Sequence, residues 1–552
     1  MKTSIEKGRS KRGVALITVI LMVVVLLILS GALLSSTISE MQGIGANGIS
    51  NQALNAAYAG LDDMVLKLEE NTSGTNIGVP QPFTTTMSGD GVYASQYSVS
   101  VIKQWAPSAN FQYFLIEAKG TAGLPLGSPL NPVRKVDALV RTQPFSSYEM
   151  YSISEVNNFG GTVYYTNAQH FDGAVYSGGP MNVMYTPGDK AIFGAGVDTA
   201  VAPNYVDPNF KSGQPGDCTP VDGTTGCSQV NVGGSAKALP TFLDNLLVAS
   251  ESYYGDSTHN SQTPPSPATN GLYINQALPN GTNGGPLLTG LYIQGDVTIY
   301  AQGENSGAIS KQFYILQVGG STYDVAIDFN ANGGIGTTTV IGPGGVSTLY
   351  TGVASGQPVG GTGGNGSIFI NGNVTIAGGT DATGLVPKST LGATIHGSYT
   401  IGVPDYITNH GDWITLNKSI TDLDPSSTSN DVLALWANDI RISNSTDSVV
   451  EIDALMLTGY YGECTVSACN DGTLYNKSCT VNSCGGVAGR TLNIMGSLVE
   501  NIRGKLGTAV VGQTTCATGF CRQMTYDQRL GSKPPPFSPT TNKYQVIALQ
   551  YK

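Results

Sequence analysis

Residues 11–34 read KRGVALITVILMVVVLLILSGALL, and this stretch decides how the rest of the chain is interpreted. Two basic residues and a glycine end a short leader. About twenty residues without a charge follow at once, which is enough to cross a hydrocarbon core as a helix. Basic residues ahead of such a run stay on the cytoplasmic side, so the remaining chain is predicted to be exported.

A cleaved secretory signal is the first competing interpretation, but it would have a shorter apolar core followed by a small-residue cleavage site. Here small and apolar residues continue at helical spacing on one face. They are Ala53, Ala56, Ala57, Gly60, Leu61, Met64, Val65 and Leu68. We therefore predict one helix over residues 14–68. A break or melted turn is expected near Gly43, Gly45 and Gly48, since each glycine costs up to about 1 kcal/mol against alanine.

This N-terminus resembles that of type IV pilins and pseudopilins. In that family a prepilin peptidase cuts after the glycine ahead of the apolar run, and the uncut helix becomes the filament core. The resemblance implies cleavage between Gly13 and Val14. The segments RGVALI (residues 12–17) and ALNAAYAGL (residues 53–61) are most similar to PilX-type minor pilins and GspK-type tip pseudopilins.

One position departs from the major pilins, which carry a glutamate at the fifth mature position. The fifth residue counted from Val14 is Thr18. A buried carboxylate there would pair with the amino terminus of a neighbouring subunit, so its absence favours a tip or minor subunit. The alternative is a plain single-pass anchor whose Lys-Arg-Gly junction arose by chance.

The composition is that of an extracellular β-protein with many tight turns. The chain has 552 residues, 72 of them glycine, and a net charge of −11. Only 12% of its residues are charged, against about 25% in an average soluble protein. Recurring Val, Ile, Tyr and Thr runs exclude disorder, and the acidic balance argues against a nucleic-acid partner.

Eight cysteines form four local pairs: Cys218/Cys227, Cys464/Cys469, Cys479/Cys484 and Cys516/Cys521. The even count, the close spacing and an exported location favour disulfides. Each would close a short loop and so pin a hairpin rather than the whole fold. A zinc site built from two pairs is the alternative, although zinc clusters commonly use tighter spacings.

The chain divides into five predicted segments. They are a leader at 1–13, a membrane and pilin-like helix at 14–70, a small pilin-like β-segment at 71–145, a large Gly-rich domain at 146–505, and a Cys-pinned, Pro-rich tail with a final strand at 506–552. Alternation of apolar and polar residues predicts strands at 97–102, 112–118, 134–141 and 544–551. The predicted fold class is therefore mainly β with a long N-terminal α-helix, and a helix on such a meander resembles the pilin plan.

Internal repeats organise the large domain. LYIQGDVTI (residues 291–299) matches IFINGNVTI (residues 368–376), and IHGSYTI (residues 395–401) matches the second half. Fainter copies are IMGSLV (residues 494–499) and VYSGGPM (residues 175–181). A central glycine permits a kink between two short strands. Such units stack well as a β-solenoid, and two packed β-domains are the alternative.

The remainder of this region adds a helix and a tail. Pro240 and the apolar spacing after it predict a helix over residues 240–253. The tail around Tyr526 and Arg529 is too rich in proline for regular structure. Together with the repeats, these features resemble a bacterial domain family that often follows pilin-like N-termini and brings no known chemistry.

No catalytic constellation is visible in the sequence, and we predict that the protein is not an enzyme. None of His170, His259, His396 and His410 has metal-type spacing, and His396 fills the polar position of a repeat, which favours a structural role. A carbohydrate enzyme on a β-solenoid would need paired carboxylates. Acidic residues are sparse in the repeats, and Asp296 is expected to be a turn residue.

Two weaker ligand signals are present. Residues 328–333, DFNANG, place oxygen-bearing side chains and a glycine as in a calcium loop. Thr339 stands where that loop needs a glutamate, and an Asn/Gly turn explains the same residues, so no metal or cofactor is predicted. Tyrosine pairs at 164–165, 253–254 and 460–461 could stack on sugars, but tyrosine is also an ordinary strand residue.

The predicted function is a structural one: a minor pilin-like or pseudopilin-like subunit, processed after Gly13, at the tip of a pilus or secretion pseudopilus. Its expected partners are other pilin subunits, prepilin peptidase and the bacterial inner membrane, with a surface or glycan ligand as a further possibility. The competing hypothesis is an uncleaved surface adhesin anchored by the same helix. Cleavage at Gly13 discriminates between them.

Overall fold

The structure is a computed structural model. It describes residues 9–70, 81–87, 94–108, 111–123, 131–165, 170–186, 189–190, 192–193, 196–201, 204–206, 230–232, 269–274, 290–307, 309–331, 336–351, 365–381, 383–403, 413–443, 447–459, 472–480, 483–485, 488–509 and 516–552. The predicted helix at 240–253 lies outside these residues. Two compact units are present: one holds residues 1–106, 112–142 and 543–552, and the other holds residues 107–111 and 143–542.

The helices are α1 (Arg9–Glu70) and α2 (Arg529–Ser532), with a 3-10 turn at Phe145–Ser147. The strands of the first half are β1 (Phe83–Met87), β2 (Ala94–Ser108), β3 (Phe111–Gly123), β4 (Val133–Pro144), β5 (Tyr148–Asn157), β6 (Tyr164–Tyr165), β7 (His170–Phe171), β8 (Ala174–Ser177), β9 (Asn182–Thr186), β10 (Asp189–Lys190), β11 (Ile192–Phe193), β12 (Val197–Thr199), β13 (Asn204–Val206), β14 (Val230–Val232) and β15 (Gly271–Ile274).

The strands of the second half are β16 (Gly290–Gln294), β17 (Val297–Ser306), β18 (Ile309–Val318), β19 (Ser321–Asp328), β20 (Thr337–Ile341), β21 (Ser347–Thr351), β22 (Asn365–Asn371), β23 (Val374–Thr380), β24 (Pro387–Lys388), β25 (Ala393–Ile395), β26 (Ser398–Val403), β27 (Trp413–Leu416), β28 (Ile420–Asp422), β29 (Val432–Ala437), β30 (Asp439–Ile442), β31 (Val449–Thr458), β32 (Leu474–Asn476), β33 (Arg490–Arg503), β34 (Gly507–Ala509), β35 (Cys516–Tyr526) and β36 (Thr540–Tyr551). The prediction of a mainly β protein with one long N-terminal helix is confirmed.

Helix α1 is continuous over its 62 residues. The predicted break near Gly43, Gly45 and Gly48 was therefore wrong. No atom lies within 4 Å of the position that a Cβ would take at any of these three glycines. Their only cost is the intrinsic preference of glycine for other conformations, and the long apolar run on one side and the packed segment on the other outweigh it.

The first unit packs the end of α1 on an antiparallel sheet. The strand order is β1-β2-β3-β4-β36, so the last strand of the chain joins the predicted meander. Ala57, Leu61, Met64 and Leu68 form a buried cluster with strand residues such as Phe114. This is the predicted apolar face: all eight of its residues are buried except Val65, which is partly buried.

Most of the second unit is built from three parallel ladders that successive strands visit in turn, and the short parallel sets β6-β9-β13 and β7-β11 stand outside them. The first ladder runs β16-β22-β26-β29-β31-β33-β5-β8-β12-β14. The second runs β17-β23-β27-β30-β32. The third runs β25-β28-β31-β33-β35, where β31 and β33 contribute their first halves. An antiparallel arm of β18, β19, β20 and β21 extends the second ladder from β17.

An apolar column fills the interior along the first ladder. Equivalent residues pair in register from strand to strand, and all of those in the following list are buried. The column is Leu291, Ile368, Ile401, Leu435, Met456, Leu498, Met150, Val175 and Val197. Because each strand covers its neighbour, the core grows along the stack. The term β-solenoid for this unit stays an interpretation of the repeats.

The repeat glycines occupy the corners between ladders, as predicted. Gly295, Gly372, Gly397 and Gly496 all have φ between +96° and +156°, where glycine is favoured. A Cβ on Gly372 would also lie 2.4 Å from the carbonyl carbon of Gly295. The first two copies pair in register, Leu291 with Ile368 and Val297 with Val374.

The alignment of the third copy was wrong by one corner. Ile401 follows its glycine, yet it pairs with Ile368, which precedes the glycine of the second copy. The strand after Gly397 therefore lies in the first ladder, whereas the strand after Gly372 lies in the second. Two different corners use the same apolar-polar-Gly-polar-apolar pattern because each needs only a tight bend between two buried strands.

Candidate functional site

The amino-terminal part of α1 is the first candidate site, because it is apolar and exposed. The predicted processing residues Gly13 and Val14 lie within the helix. From Thr18 onward the side chains are described, and Leu21 and Leu27 are 63% and 68% exposed. The segment Thr18–Glu70 is long and apolar enough to cross a membrane, and none of its most apolar window is buried. This fits a single-pass membrane anchor.

Two of the predicted cysteine pairs are disulfides. Cys479 bonds Cys484 and Cys516 bonds Cys521, and all four residues are buried. A Cβ on Gly519 would lie 3.0 Å from the Cβ of Cys484, so the two bridges lie close together. Cys218, Cys227, Cys464 and Cys469 lie outside the described residues. In the part of the chain that the structure describes, no three His, Cys, Asp or Glu residues are grouped to hold a metal ion.

The calcium-like sequence forms a local turn. Asp328 Oδ1 accepts hydrogen bonds of 3.1 Å from the backbone N–H groups of Asn330 and Ala331. Its Oδ2 lies 3.3 Å from the ammonium of Lys311. Backbone donors and a lysine thus occupy the oxygens that a cation would need. Asn332 and Gly333 lie outside the described residues.

Asp296 and Tyr165 have structural positions, whereas Tyr164 is 46% exposed. Asp296 Oδ1 accepts a 2.9 Å hydrogen bond from the backbone N–H of Asn373, so it bridges the corners of two adjacent repeat copies as a turn residue. Tyr165 is fully buried and its hydroxyl contacts Glu155 and Arg503. Burial raises the pKa of the Tyr165 hydroxyl. Because the ring is fully buried, Tyr165 is not part of a sugar-binding surface. The pairs at 253–254 and 460–461 lie outside the described residues.

The second candidate site is a Ser-His-Asp hydrogen-bond chain that the sequence did not reveal. Ser310 Oγ lies 2.7 Å from His396 Nε2. On the opposite edge of the ring, His396 Nδ1 lies 3.0 Å from Asp431 Oδ1 and 3.1 Å from Oδ2. These three residues are 86 and 35 positions apart along the chain, so no short motif contains them.

Three elements bring these residues together. Ser310 stands on β18 in the arm, one residue after its start. His396 follows β25 at the corner before Gly397, and Asp431 directly precedes β29. Because β26 and β29 are neighbours in the first ladder, the two corners stack, and Val432 N–H donates to the Gly397 carbonyl over 3.0 Å.

A polar cluster fixes the arm against the corner. The buried Gln312 accepts from the His396 backbone N–H over 2.7 Å and donates to the Thr394 carbonyl over 3.3 Å. Thr394 Oγ1 accepts from the Gly303 N–H over 2.9 Å. Residue Gly303 permits this close approach, because a Cβ at this position would lie only 2.8 Å from the His396 Cβ. The arm thus contacts the His396 backbone through Gln312 and the His396 ring through Ser310.

The carboxylate of Asp431 is oriented independently of the histidine. Its Oδ1 accepts from the Gly397 N–H over 2.7 Å, and its Oδ2 accepts from the Asp424 N–H over 3.1 Å. Its side chain is 3% exposed, whereas that of His396 is 13% exposed. The prediction that His396 is only structural therefore left out a neighbour on each ring nitrogen.

Comparison of the chain with protein-family models, with curated proteins and with solved structures found no match.

Proposed function

We propose that the protein is a minor type IV pilin-like or pseudopilin-like subunit, inserted in the bacterial inner membrane and processed between Gly13 and Val14. The observation that carries this proposal is the division of α1 into two parts. Its first part is apolar and exposed, and its last part is packed on an antiparallel sheet. A helix that only anchored a domain would need no such rigid continuation into the folded body.

The exposed part of α1 is the partner surface in this proposal. Before assembly it crosses the membrane, because a helix of about 20 apolar residues spans the hydrocarbon core. After assembly the same surface packs against the helices of other pilin or pseudopilin subunits, which removes it from lipid without exposing it to water. The exported units then lie at the cell surface or on the pilus.

Position at the tip is favoured by two features. Thr18 replaces the glutamate that would pair with a subunit ahead of it. The second unit, residues 107–111 and 143–542, is a body too large to repeat along a thin shaft. From the tip it would act in assembly or in adhesion to a surface or glycan. This role needs neither catalysis nor nucleic acid.

The test is the intact mass and N-terminal sequence of the protein from its native membrane, with and without prepilin peptidase. We expect a chain that starts at Val14 in the first case and an uncut chain in the second. Gly13→Leu should block processing, and Gly8→Leu in the same leader is the matched control that should not.

The alternative is an uncleaved, membrane-anchored adhesin. A chain that keeps residues 1–13 in cells with active prepilin peptidase would exclude the pilin-like role and leave this alternative. If the chain is cut at Gly13 but does not co-purify with sheared filaments, a tip or pseudopilus position gains over a place in a pilus shaft.

A further inference from the structure

We propose that Ser310, His396 and Asp431 form a catalytic triad that hydrolyses carboxylic esters, an activity beyond the proposed assembly role. The chain of contacts has the order that such a triad needs: hydroxyl to Nε2, and carboxylate to Nδ1. Both distances, 2.7 and 3.0 Å, lie within hydrogen-bond reach.

The surroundings of Asp431 set the roles of the two ring nitrogens. An ionised carboxylate is only an acceptor, so it holds the imidazole proton on Nδ1. Nε2 is then the acceptor and faces the Ser310 hydroxyl. Two backbone N–H groups, from Gly397 and Asp424, hold the Asp431 carboxylate in place independently of the imidazole ring. Asp431 is thus a positioning residue, and Ser310 and His396 are the catalytic ones.

The hydroxyl and the imidazole stand at the edge of the packed region. Ser310 is partly exposed and follows Ile309, which is 40% exposed. The rings of His396 and Phe329 pack at right angles, with 5.3 Å between ring centroids and an angle of 89°. An acyl group can therefore approach Ser310 from solvent while the base stays fixed.

The arm does not need the Ser310 contact in order to dock. Ser310, Gln312 and Tyr314 lie on one face of β18, because strand residues alternate. Gln312 already makes two hydrogen bonds to residues 394–396, and the Tyr314 ring packs on Tyr399 at 5.7 Å. The Ser310 hydroxyl at the exposed end of this face therefore adds little to the stability of the docked hairpin. It does supply a nucleophile next to the base His396.

The chemical step follows from these positions. Ser310 Oγ attacks the ester carbonyl carbon while His396 Nε2 takes the hydroxyl proton. The C–O bond to the alcohol breaks, and His396 returns the proton to the leaving alkoxide. Water then attacks the acyl-serine with His396 as base again, which releases the carboxylic acid and restores the hydroxyl.

The experiment is covalent labelling of the purified full chain in detergent with a fluorophosphonate probe, read by peptide mass spectrometry. We expect modification at Ser310, none in Ser310→Ala, and unchanged labelling in Ser306→Ala, a serine on the same hairpin. His396→Asn keeps an amide near Asp431 but removes the base, and should slow labelling at least ~100-fold. Hydrolysis of p-nitrophenyl acetate should fall with it.

Each remaining outcome overturns the proposal. No modification of Ser310, while a known serine hydrolase is labelled in the same tube, excludes an activated serine. Labelling that His396→Asn leaves unchanged, with an unfolding midpoint equal to that of the native chain, excludes the base. Asp431→Asn should slow labelling and Asp431→Glu should restore part of it; equal labelling rates in the native chain and both Asp431 variants would exclude the triad. Because these readouts do not involve processing at Gly13, they are independent of the pilin-like proposal.

Discussion

At the scale of single residues, Glu149 is a buried carboxyl in the second unit. Its side chain is fully buried, Oε2 accepts from the Gly173 N–H over 2.5 Å, and Oε1 has no hydrogen-bond partner among the described residues. Burial is the main cause that raises its pKa from 4.5 to about 7. The folded state therefore binds the Glu149 proton more tightly than the unfolded chain does.

This raised pKa predicts stability that falls with rising pH. The contribution of Glu149 is fully present below the unfolded pKa, near 4.5, and is lost as the pH rises through about 7. Glu149→Gln should remove this loss and stabilise the protein by up to ~3 kcal/mol at pH 8, since one pKa unit is worth about 1.4 kcal/mol. Near pH 4.5 the variant and the native chain should unfold together. Urea unfolding at both pH values measures this, and equal gains at both would contradict it.

Arg529 is the residue that fixes the Pro-rich tail. Its guanidinium lies 2.6 Å from Asp422 and 2.7 Å from Asp527, and it also donates to the Asp431 carbonyl over 2.9 Å. The side chain is 3% exposed. The prediction that the tail around Arg529 lacks regular structure was wrong for α2 (Arg529–Ser532), because the buried ion pairs of Arg529 with Asp422 and Asp527 hold this turn in place.

Removal of Arg529 should leave Asp422 buried without its partner. We expect Arg529→Met to cost about 3–5 kcal/mol, as for other broken buried ion pairs. Asp422→Asn added to it should return part of that loss. Lys533→Met is the control, because Lys533 is exposed and its ammonium donates to the Thr428 carbonyl and to Asn430, and it should cost under ~1 kcal/mol. Urea midpoints decide the matter, and similar losses in both single variants would contradict it.

At the scale of elements, α1 packs closely against its sheet at Gly120 on β3. A Cβ there would lie 1.9 Å from the Ala53 carbonyl oxygen and 2.5 Å from the Ala57 nitrogen. Both are backbone atoms of the helix, so no side chain can move aside. Glycine at this position is what permits the close packing of helix and strand, with small Ala residues on the facing side.

Gly120→Ala should therefore push the helix from the sheet. We expect a loss of at least ~1–3 kcal/mol, as for overpacked cores, and faster hydrogen exchange in peptides from β3. Gly48→Ala is the matched control in the same unit. It meets no atom within 4 Å and should stabilise the helix by up to ~1 kcal/mol. Unchanged exchange in β3 of the Gly120 variant would show that the contact is looser than described.

At the scale of the whole molecule, the stacked column makes the second unit stable along its length. Met456 lies in the middle of the column, between Leu435 and Leu498, and is fully buried. Met456→Ala should cost ~2–5 kcal/mol because the cavity has neighbours on both sides. Val340→Ala in the arm should cost less, since Val340 is 7% exposed already. Thermal unfolding followed by far-UV circular dichroism compares them, and an equal cost would contradict a core concentrated in the ladders.

The contacts of Ser310, His396 and Asp431 also depend on the whole molecule, because these residues come from three separated segments. No sequence motif surrounds Ser310 or Asp431, and His396 stands in the sequence only as the polar position of a repeat. The hydrogen bonds exist because the arm folds back from the second ladder onto a corner of the third. Only the path of the chain through the ladders shows which serine and which aspartate face the two ring nitrogens.

The local features of this protein follow from short stretches of its sequence. Hydrophobic length predicted the helix, the spacing of small residues predicted its packed face, and alternation predicted strands within β2, β3, β4 and β36. Each of these follows from side-chain periodicity over fewer than about 20 residues. The repeat glycines likewise predicted corners, because a tight bend needs a residue that tolerates positive φ.

The tertiary structure decided what depends on contacts between distant residues. It placed the final strand beside β4, moved the third repeat copy by one corner, and joined Ser310, His396 and Asp431. It also kept α1 continuous through three glycines. The physical reason is the same in each case: register and side-chain pairing are set by burial against other elements, and a local pattern does not contain that partner.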